Sequence, residues 1–575
     1  MKFPSFAVLS IRALLALLLA GILASCGGGD SKTTPVTGVQ LRPLSPEFTT
    51  RKAVNYSPYR TAIDVNGLAA EDIPRANIRQ DLDLMMAAGF RLIRVFDSDD
   101  KVAKQTLEVI RADNLNLKMQ LGIFIQGGNE NFNQAQLARA VKLANDYSDI
   151  VLAVSVGNEN MVGFSFNKVP VADMARYIAT VRSQIEQPVT TDDNYAFWAS
   201  APTAITDVVD FASVHTYAVL DTIFDPKLWD WRQKAAAPAD RAAAMMAAAI
   251  KETRRQYDVA RSGLDAKGLR DMPITVGETG WKAVNPGDLA FRAHPVNQKI
   301  YVDDLNIWAD EGKTGAGPKA IFYFEAFDEP WKQGDDKWGL FNVQRQARYV
   351  IQALNANNTP AGTATWVWEP GSYTDADALA FVEAVVEPAI TESRYTVYSD
   401  TAPGASDFRP TDLRRDAFDG TTATAPEVST TFGPGDASRA IEITPVLPLS
   451  FGWGVLIQGN NGSTDNLSGY AATGTLNFWV NTLYPGKIEI GIATDTADRE
   501  GKEAYLQLQP GNFGYCNTGA WCQVSIPLQA FLAVNPALDL SLVTSRFTVA
   551  DRYAITGNAT GNTSKITIDG IYWAK

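Results

Sequence analysis

Two glutamates stand directly after apolar runs of the sequence, where acidic side chains are unusual. Glu159 follows the run in IVLAVSVGNEN at 150–160, and Glu278 follows the run in PITVGETGW at 273–281. A glycine lies just before each of them, and glycine lets other groups approach the backbone closely. Two carboxyl groups facing each other across a cleft serve glycoside hydrolysis, in which one protonates the leaving oxygen and the other attacks the anomeric carbon.

A third stretch, SVHTY at 213–217, supplies two further candidates for the same cleft. We expect Tyr217 to donate a hydrogen bond to Glu278, and His215 to contact the substrate beside it. Trp281, close behind Glu278, is a further substrate-binding candidate. The chain has two histidines, and it contains neither a G-x-S-x-G nor an H-E-x-x-H motif. Chemistry that depends on a catalytic histidine is therefore disfavoured.

The segments around these residues alternate between β-type runs and amphipathic helical patterns from about 50 to 358. Strands are predicted at 52–56, 90–96, 117–125, 150–156, 187–191, 210–215, 273–277 and 320–325, with helices at 75–89, 133–146, 171–185 and 239–260. Such alternation implies a parallel sheet, and eight repeats predict an α/β fold, the (β/α)₈ TIM barrel. A doubly wound open sheet is the competing fold, but no glycine-rich loop follows the first strand. The fourth and seventh strands of a barrel would hold the two glutamates on opposite sides of its mouth.

The N-terminus has the features of an export signal. Lys2 and Arg12 accompany the apolar stretch ALLALLLAGILASC, which is shorter than the ~20 residues of a membrane span. LASC at 23–26 resembles the lipobox of bacterial lipoproteins, which implies removal of a signal peptide at 1–25 and lipidation of Cys26. An ordinary signal peptide with a chance cysteine is the alternative. The stretch GGGDSKTTPVTG predicts a flexible tether over residues 26–48.

The overall composition describes a multidomain globular protein. A length of 575 residues predicts two or three domains, and 46% apolar residues suffice for large cores. The net charge of −13, uninterrupted by a basic cluster, argues against a nucleic-acid partner. Together with the strand–helix alternation and the paired glutamates, this predicts a glycosidase-type domain at 49–358 and a separate domain after it.

The C-terminal third of the sequence has a different pattern. An Ala/Thr/Pro-rich connector is predicted at 359–392, and short alternating strands with turn-rich gaps fill 393–575. Many short strands without intervening helices predict a β-sandwich or jelly roll. Cys516 and Cys522 close a short loop there, and in an exported protein we expect them to form a disulfide.

Three motifs of the predicted barrel resemble glycoside hydrolase family 17, which contains β-1,3-glucanases and β-1,3-glucanosyltransferases. The motifs are SVGNE at 155–159, VGETGW at 276–281 and FEAFDEPWK at 324–332, followed by WGLF at 338–341. The resemblance implies that Glu159 is the general acid/base and Glu278 the nucleophile of a retaining enzyme. It further implies sugar-binding roles for Asn158, Glu325, Asp328 and Trp331. Phe96 stands where we expect this family to favour tyrosine.

The C-terminal segment resembles jelly-roll carbohydrate-binding modules in its architecture. Its candidates for stacking on sugar rings, with core packing as the alternative for each, are Trp453, Tyr470, Tyr515 and Trp521. Asp569, in TIDGIYW, resembles a structural calcium ligand near the last strand of such modules. No cofactor is expected for catalysis.

Together these features predict a monomeric, lipid-anchored enzyme of the bacterial cell envelope that acts on β-1,3-glucan of the laminarin type. A β-1,3-glucanosyltransferase with the same two glutamates is the nearest alternative. The alternative of another class is a non-catalytic glycan-binding surface lipoprotein, which has no need of two opposed carboxylates.

Overall fold

The computed structural model describes residues 40–220, 228–284, 289, 292–315, 317–332, 337–351, 367–383, 385–400, 404–419, 427–429, 439–445, 452–460, 463–495, 502–552 and 564–575. The chain divides into two compact units between Phe381 and Val382. This division falls inside the predicted connector. None of the helices within the described ranges has the length and apolar character needed to cross a membrane.

The first unit is a closed barrel of eight parallel strands, which confirms the predicted fold. The strands are β1 (Ala53–Asn55), β2 (Leu92–Val95), β3 (Lys118–Ile123), β4 (Val151–Asn158), β5 (Val189–Asn194), β6 (Ala212–His215), β7 (Ile274–Thr279) and β8 (Ile321–Tyr323). Each strand pairs with the next, and β8 pairs with β1. All eight lie within or beside the predicted strand segments.

Helices join the strands in the order that the hydrophobic periodicity predicts. They are α1 (Pro46–Thr50), α2 (Gly67–Ala70), α3 (Arg75–Ala87), α4 (Gln105–Ala112), α5 (Glu130–Asp146), α6 (Val171–Arg182), α7 (Tyr195–Trp198), α8 (Thr203–Thr206), α9 (Arg241–Ala266) and α10 (Pro295–Thr314). In α3 the residues Ile78, Leu82 and Met85 are buried, at the spacing that places them on one helix face. The four predicted helices correspond to α3, α5, α6 and α9.

A short helix closes the N-terminal end of the barrel. Ser45 caps α1 by accepting a hydrogen bond from the Phe48 backbone N–H at 3.1 Å, and Pro46 begins the helix. The fully buried Phe48 ring then packs on Phe211 and Phe322, with centroid distances of 6.1 and 6.0 Å. This end of the barrel is apolar, so the polar side chains of the interior are concentrated at the other end.

The second unit is an all-β domain of two sheets. Its elements are β9 (Arg394–Tyr398), β10 (Asp407–Phe408), β11 (Leu413–Asp419), β12 (Glu427–Ser429), β13 (Arg439–Ile443), β14 (Gly452–Gly459), β15 (Thr475–Thr482), β16 (Ile488–Thr494), β17 (Glu503–Leu508), β18 (Cys522–Pro527), helix α11 (Leu528–Val534), β19 (Val543–Arg552) and β20 (Ile566–Ala574). One sheet has five strands in the order β11-β14-β19-β16-β17. The other follows β10-β9-β20-β13-β12, with β15 and β18 attached through β20.

Apolar side chains from both sheets form one core in this domain. Phe478 of β15 and Phe547 of β19 pack edge to face across it, with ring centroids 5.2 Å apart. Three of the stacking candidates, Trp453, Tyr470 and Tyr515, are buried in this core and are therefore not free to stack on sugars. Trp521 is half-buried and stays a candidate.

The structure pairs Cys516 and Cys522 in a disulfide, with Cα atoms 5.9 Å apart. Asp569 is buried, and its Oδ1 accepts a hydrogen bond from the Gly570 backbone N–H at 2.6 Å. No cluster of three acidic, histidine or cysteine side chains suited to a metal occurs among the residues that the structure describes. A calcium ion at Asp569 therefore stays a prediction. Cys26 lies outside the described residues.

Candidate active site

Glu159 lies immediately after β4, at the C-terminal mouth of the barrel. Its backbone is in the left-handed region with φ of 49°, directly after Gly157 at φ of 83° and Asn158. The Glu159 N–H donates to the Asp192 carbonyl at 2.8 Å, which holds this conformation. Non-glycine residues with left-handed backbone conformation are uncommon, and they cluster at functional sites. About one third of the Glu159 side chain, 33%, is exposed.

Glu278 is the penultimate residue of β7 and is far less accessible than Glu159, at 6% exposure. Its Oε1 accepts a hydrogen bond from Arg94 Nη1 at 2.8 Å, and its Oε2 accepts one from Tyr217 Oη at 2.7 Å. Burial alone would raise the pKa of Glu278, but the charges of His215 and Arg94 and the Tyr217 hydrogen bond outweigh it and lower the pKa. Glu278 is therefore held as a carboxylate.

His215, the last residue of β6, lies between the two glutamates. Its Nδ1 is 3.0 Å from Glu159 Oε1 and 3.6 Å from Glu278 Oε2, and its Nε2 is 3.7 Å from Asp192 Oδ1. Burial lowers the pKa of His215, but Glu278, Asp192 and Glu159 together raise it to about 10. The imidazole is thus a cation at neutral pH. The side chain is fully buried, which corrects its predicted role as a substrate contact.

Arg94 lies beneath the glutamates in a layer with Asn55, Asn158 and Asp192, and the sequence analysis missed it. Besides Glu278, its guanidinium donates to Asp192 Oδ2 at 2.8 Å, to Asn55 Oδ1 at 3.1 Å and to Asn158 Oδ1 at 2.5 Å. The available signal was a charged residue inside the apolar run RLIRVF, since a buried charge requires partners. Asn158, predicted to contact a sugar hydroxyl, therefore has its side-chain oxygen bonded to Arg94.

Asp192 on β5 is the anion of this layer. It accepts hydrogen bonds from Arg94 and from the hydroxyls of Ser155 and Ser213. Burial raises the pKa of Asp192, but the charge of Arg94 and the contact with His215 lower it well below its usual range. Gly277 makes room for this carboxylate, because a Cβ there would lie 2.4 Å from Asp192 Oδ1. The glycine before Glu278 thus serves close packing.

Asp193, the next residue on β5, faces the other glutamate. Its carboxylate accepts hydrogen bonds from the Met161 N–H at 2.9 Å and from the Asn194 N–H at 2.8 Å. Burial first, and then the negative charge of Glu159, raise the pKa of Asp193 to about 7. The sequence analysis did not single out this residue.

Aromatic side chains form one wall of the site around Tyr217. The Tyr217 ring packs edge to face on Phe324 at 6.0 Å and on Trp338 at 5.3 Å. Phe96 contacts the same Phe324 ring at 6.2 Å and lies under the Arg94 guanidinium. These contacts fix the phenol oxygen that hydrogen-bonds Glu278.

Two predicted substrate-binding residues belong instead to the protein interior. Trp281 is fully buried, and its Nε1 donates to the Arg292 carbonyl at 3.0 Å. Asp328 forms a buried ion pair with Arg348 at 2.7 Å and accepts the Gly339 N–H at 3.0 Å. Neither side chain has surface available for a sugar, so both predictions are wrong. Position beside an active-site motif in the sequence does not decide which way a side chain points.

The remaining predicted contacts lie after β8. Glu325 is buried at 1% exposure, and burial together with the neighbouring Glu329 raises its pKa well above its usual value. Glu325 is therefore enclosed in the protein rather than an open sugar contact, and its surroundings favour the protonated form. Trp331 is half-buried, and its Nε1 donates to Glu329 Oε1 at 3.2 Å. Trp331 keeps part of its ring accessible.

The family comparisons match the two units separately. The model of the BtgE/BtgC glycoside hydrolase domain matches residues 53–345, and the model of carbohydrate binding domain 30 matches residues 394–575. The barrel with its two strand-end glutamates is thus a glycosidase domain, followed by a domain similar to carbohydrate-binding modules. The chain belongs to the BtgE/BtgC glycoside hydrolase family, whose domain spans the whole barrel.

Individual relatives are distant. A protein named probable glucan endo-1,3-beta-glucosidase btgC from Aspergillus clavatus is 25% identical over 280 residues, covering 44% of this chain and 36% of its own length. A protein named putative glucan endo-1,3-beta-glucosidase btgC from Aspergillus niger is 25% identical over 303 residues, covering 47% of this chain and 39% of its own length. The chain thus spans little more than a third of the length of these relatives.

Among solved structures, an endo-laminarinase from Formosa Hel1_33_131 superposes with a TM-score of 0.51 at 23% identity. The superposition covers 59% of this chain and 97% of that one. It agrees with the barrel fold.

Proposed function

We propose that the barrel is a retaining glycosidase that cleaves β-1,3-glucan of the laminarin type, with Glu278 as nucleophile and Glu159 as general acid/base. The observation that carries this proposal is the pair of glutamates at the ends of β4 and β7, both in contact with His215. Their environments differ as the two roles require. Glu278 is enclosed by donors that keep it ionised, whereas Glu159 is partly open to the cleft.

The spacing of the two carboxyl groups supports retention. Glu159 Oε1 and Glu278 Oε2 lie 3.0 and 3.6 Å from the same nitrogen, so their separation is at most the sum of these distances. That ceiling lies at the lower edge of the ~6.5–9.5 Å spacing of inverting enzymes, and any bend at the nitrogen brings the pair towards the ~5–5.5 Å of retaining enzymes.

The reaction then proceeds in two displacements. Glu278 attacks the anomeric carbon while Glu159 gives its proton to the departing glycosidic oxygen. Glu159, now a carboxylate, takes a proton from water, whose oxygen attacks the same carbon and releases Glu278. In the transferase alternative, a sugar hydroxyl takes the place of the water.

The substrate proposal draws on the relatives. The Aspergillus proteins are named as endo-1,3-beta-glucosidases, and the superposed structure is an endo-laminarinase. The three motifs that resemble glycoside hydrolase family 17 include both glutamates and support the same substrate class. We propose that the β-domain holds the glucan chain near the enzyme, in line with its match to a carbohydrate-binding domain.

We also propose that Cys26 is lipidated and anchors the protein in a bacterial cell envelope, on the strength of the lipobox-like LASC sequence. Metabolic labelling with a radioactive fatty acid would test this. The wild-type chain should incorporate label and fractionate with membranes, whereas Cys26→Ser should do neither. Labelling of both chains would refute lipidation at Cys26.

The test of the catalytic proposal is product analysis on linear β-1,3-gluco-oligosaccharides, using the chain from residue 27 onward. Shorter products with initial β-configuration by NMR are expected, and initial α-products would refute retention. Glu278→Gln and Glu159→Gln should each lose turnover, while Glu311→Gln, a surface residue paired with Arg254, should not. Undiminished activity of Glu278→Gln would refute the assignment.

The same assay separates the alternatives. Products longer than the substrate would identify a glucanosyltransferase. Binding of the oligosaccharides without any product would favour the non-catalytic glycan-binding protein.

A further inference from the structure

His215 occupies a position that the two-glutamate mechanism does not by itself require. It is fully buried at the end of β6 and contacts Glu159 and Glu278 through a single nitrogen, Nδ1. Its other nitrogen faces Asp192, which Arg94 and two serine hydroxyls hold in place. Nδ1 is at hydrogen-bond distance from Glu159 Oε1, at 3.0 Å, and Glu278 Oε2 lies 3.6 Å from the same nitrogen, so the two glutamates compete for one N–H.

The charged groups around the imidazole come from four other strands of the barrel. Arg94 lies on β2, Glu159 follows β4, Asp192 and Asp193 lie on β5, and Glu278 lies on β7. The carboxylates among them raise the pKa of His215 to about 10 against the opposing effect of burial. Both ring nitrogens consequently carry protons at neutral pH, and Nδ1 can act only as a donor.

The proposed reaction moves negative charge from one glutamate to the other. The first displacement requires Glu278 as the carboxylate and Glu159 with a proton to give. When the bond from Glu278 to the anomeric carbon forms and the glycosidic bond breaks, the Glu159 proton leaves with the departing oxygen. Glu278 is then a neutral ester and Glu159 the carboxylate. Attack by water reverses both changes, and the imidazolium keeps its two protons throughout.

We propose that His215 is a positioning residue whose Nδ1–H donates to whichever glutamate is ionised, Glu278 before glycosyl transfer and Glu159 after it. This inference rests on the proposed retaining function. In this structure Nδ1 is 3.0 Å from Glu159 Oε1, and a small side-chain shift would bring Glu278 Oε2, now 3.6 Å away, within hydrogen-bond distance instead. One fixed cation thus serves both halves of the reaction.

The test measures the two half-reactions separately in His215→Ala and His215→Asn. With 2,4-dinitrophenyl β-laminaribioside the leaving group needs no proton, so the burst reports attack by Glu278 and the steady state reports release from it. We expect His215→Ala to slow both phases at least about tenfold, the lower range for losing a hydrogen bond to a charged group. His215→Asn, which can place an amide N–H near the Nδ1 position, should recover part of both rates.

The pH profile supplies a readout that a purely structural role would not move. Removing the cation should raise the pKa of Glu278, so the acid limb of kcat/KM should shift to higher pH by about 1–3 units in both variants. His294→Asn, which replaces the other histidine at the N-cap of α10, is the matched control and should leave rates and profile unchanged. Near-UV circular dichroism checks folding, and His215→Asn carries the test if His215→Ala does not fold.

Two results would overturn the inference while leaving the proposed function intact. The first is a loss confined to one phase, since His215 would then serve a single glutamate. The second is an equal loss at all pH values with an unshifted acid limb. No burst and no turnover by the wild-type chain would instead remove the proposed function, and the inference with it.

Discussion

Replacing Arg94 by methionine tests whether the buried charge layer holds both the fold and the nucleophile. The guanidinium is 1% exposed and pairs at 2.8 Å with the buried carboxylates of Asp192 and Glu278. Methionine fills part of the volume but leaves both carboxylates without this cation. Removing one partner of a buried ion pair costs about 3–5 kcal/mol, so the barrel should lose at least that much stability.

The same substitution should change the ionisation of Glu278. The Arg94 charge and hydrogen bond are among the causes that lower its pKa, so the pKa should rise by about 1–3 units without them. A higher pKa means that the nucleophile becomes protonated at a higher pH. The acid limb of kcat/KM on laminari-oligosaccharides should therefore move upward, and activity at pH 5 should fall more than activity at pH 7.

Urea denaturation, followed by the fluorescence of the barrel tryptophans, gives the change in the free energy of unfolding. The pH profile gives the change in the pKa of Glu278. Arg79→Met is the matched control, because Arg79 forms exposed ion pairs with Asp83 and Asp113 and should contribute no more than about 1 kcal/mol. The reasoning fails if Arg94→Met unfolds at the wild-type midpoint and keeps the wild-type acid limb.

Three further predictions follow from the same geometry. Gly277→Ala places a Cβ against a buried carboxylate and should cost about 1–3 kcal/mol and most of the activity, whereas Gly163→Ala, with open space around it, should be neutral in both assays. Asp328→Ala should lower the unfolding free energy by about 3–5 kcal/mol at unchanged KM, and a raised KM would restore Asp328 as a sugar contact. The pKa of His215 is raised in the folded state, so its contribution to stability should be fully present below about pH 6.5 and be lost as the pH approaches about 10. Wild-type melting temperatures should thus decline over this window more than those of His215→Asn, and parallel curves would contradict the assignment.

The barrel and its two glutamates were predictable because they depend on local patterns. Alternation of buried runs with amphipathic helices specifies strand order, and strand order places the ends of β4 and β7 at one mouth. The hydrogen bond from Tyr217 to Glu278 was also predictable, since it joins residues at the ends of adjacent strands.

The Arg94 layer was not predictable in the same way. Its contacts join β1, β2, β4, β5 and β7, so they depend on which side chains point into the barrel and at what height. Trp281 and Asp328 show the converse error. Both lie in motifs beside the active site, yet the chain turns Trp281 towards the Arg292 carbonyl and Asp328 towards Arg348. Long-range packing decides such orientations, and a single sequence does not record it.

The balance of buried charges explains why two cations, Arg94 and His215, lie beneath the two glutamates of the site. Arg94 is balanced by Asp192, which it contacts directly. With one glutamate protonated, the His215 cation is balanced by the other, and this balance holds in the free enzyme and in the glycosyl-enzyme alike. Because the interior has a low effective dielectric, an unbalanced charge there would be costly at either stage. Removing the His215 charge should therefore penalise both half-reactions, whereas removing Tyr217 Oη, which contacts only Glu278 of the pair, should penalise the steps in which Glu278 gains or holds negative charge.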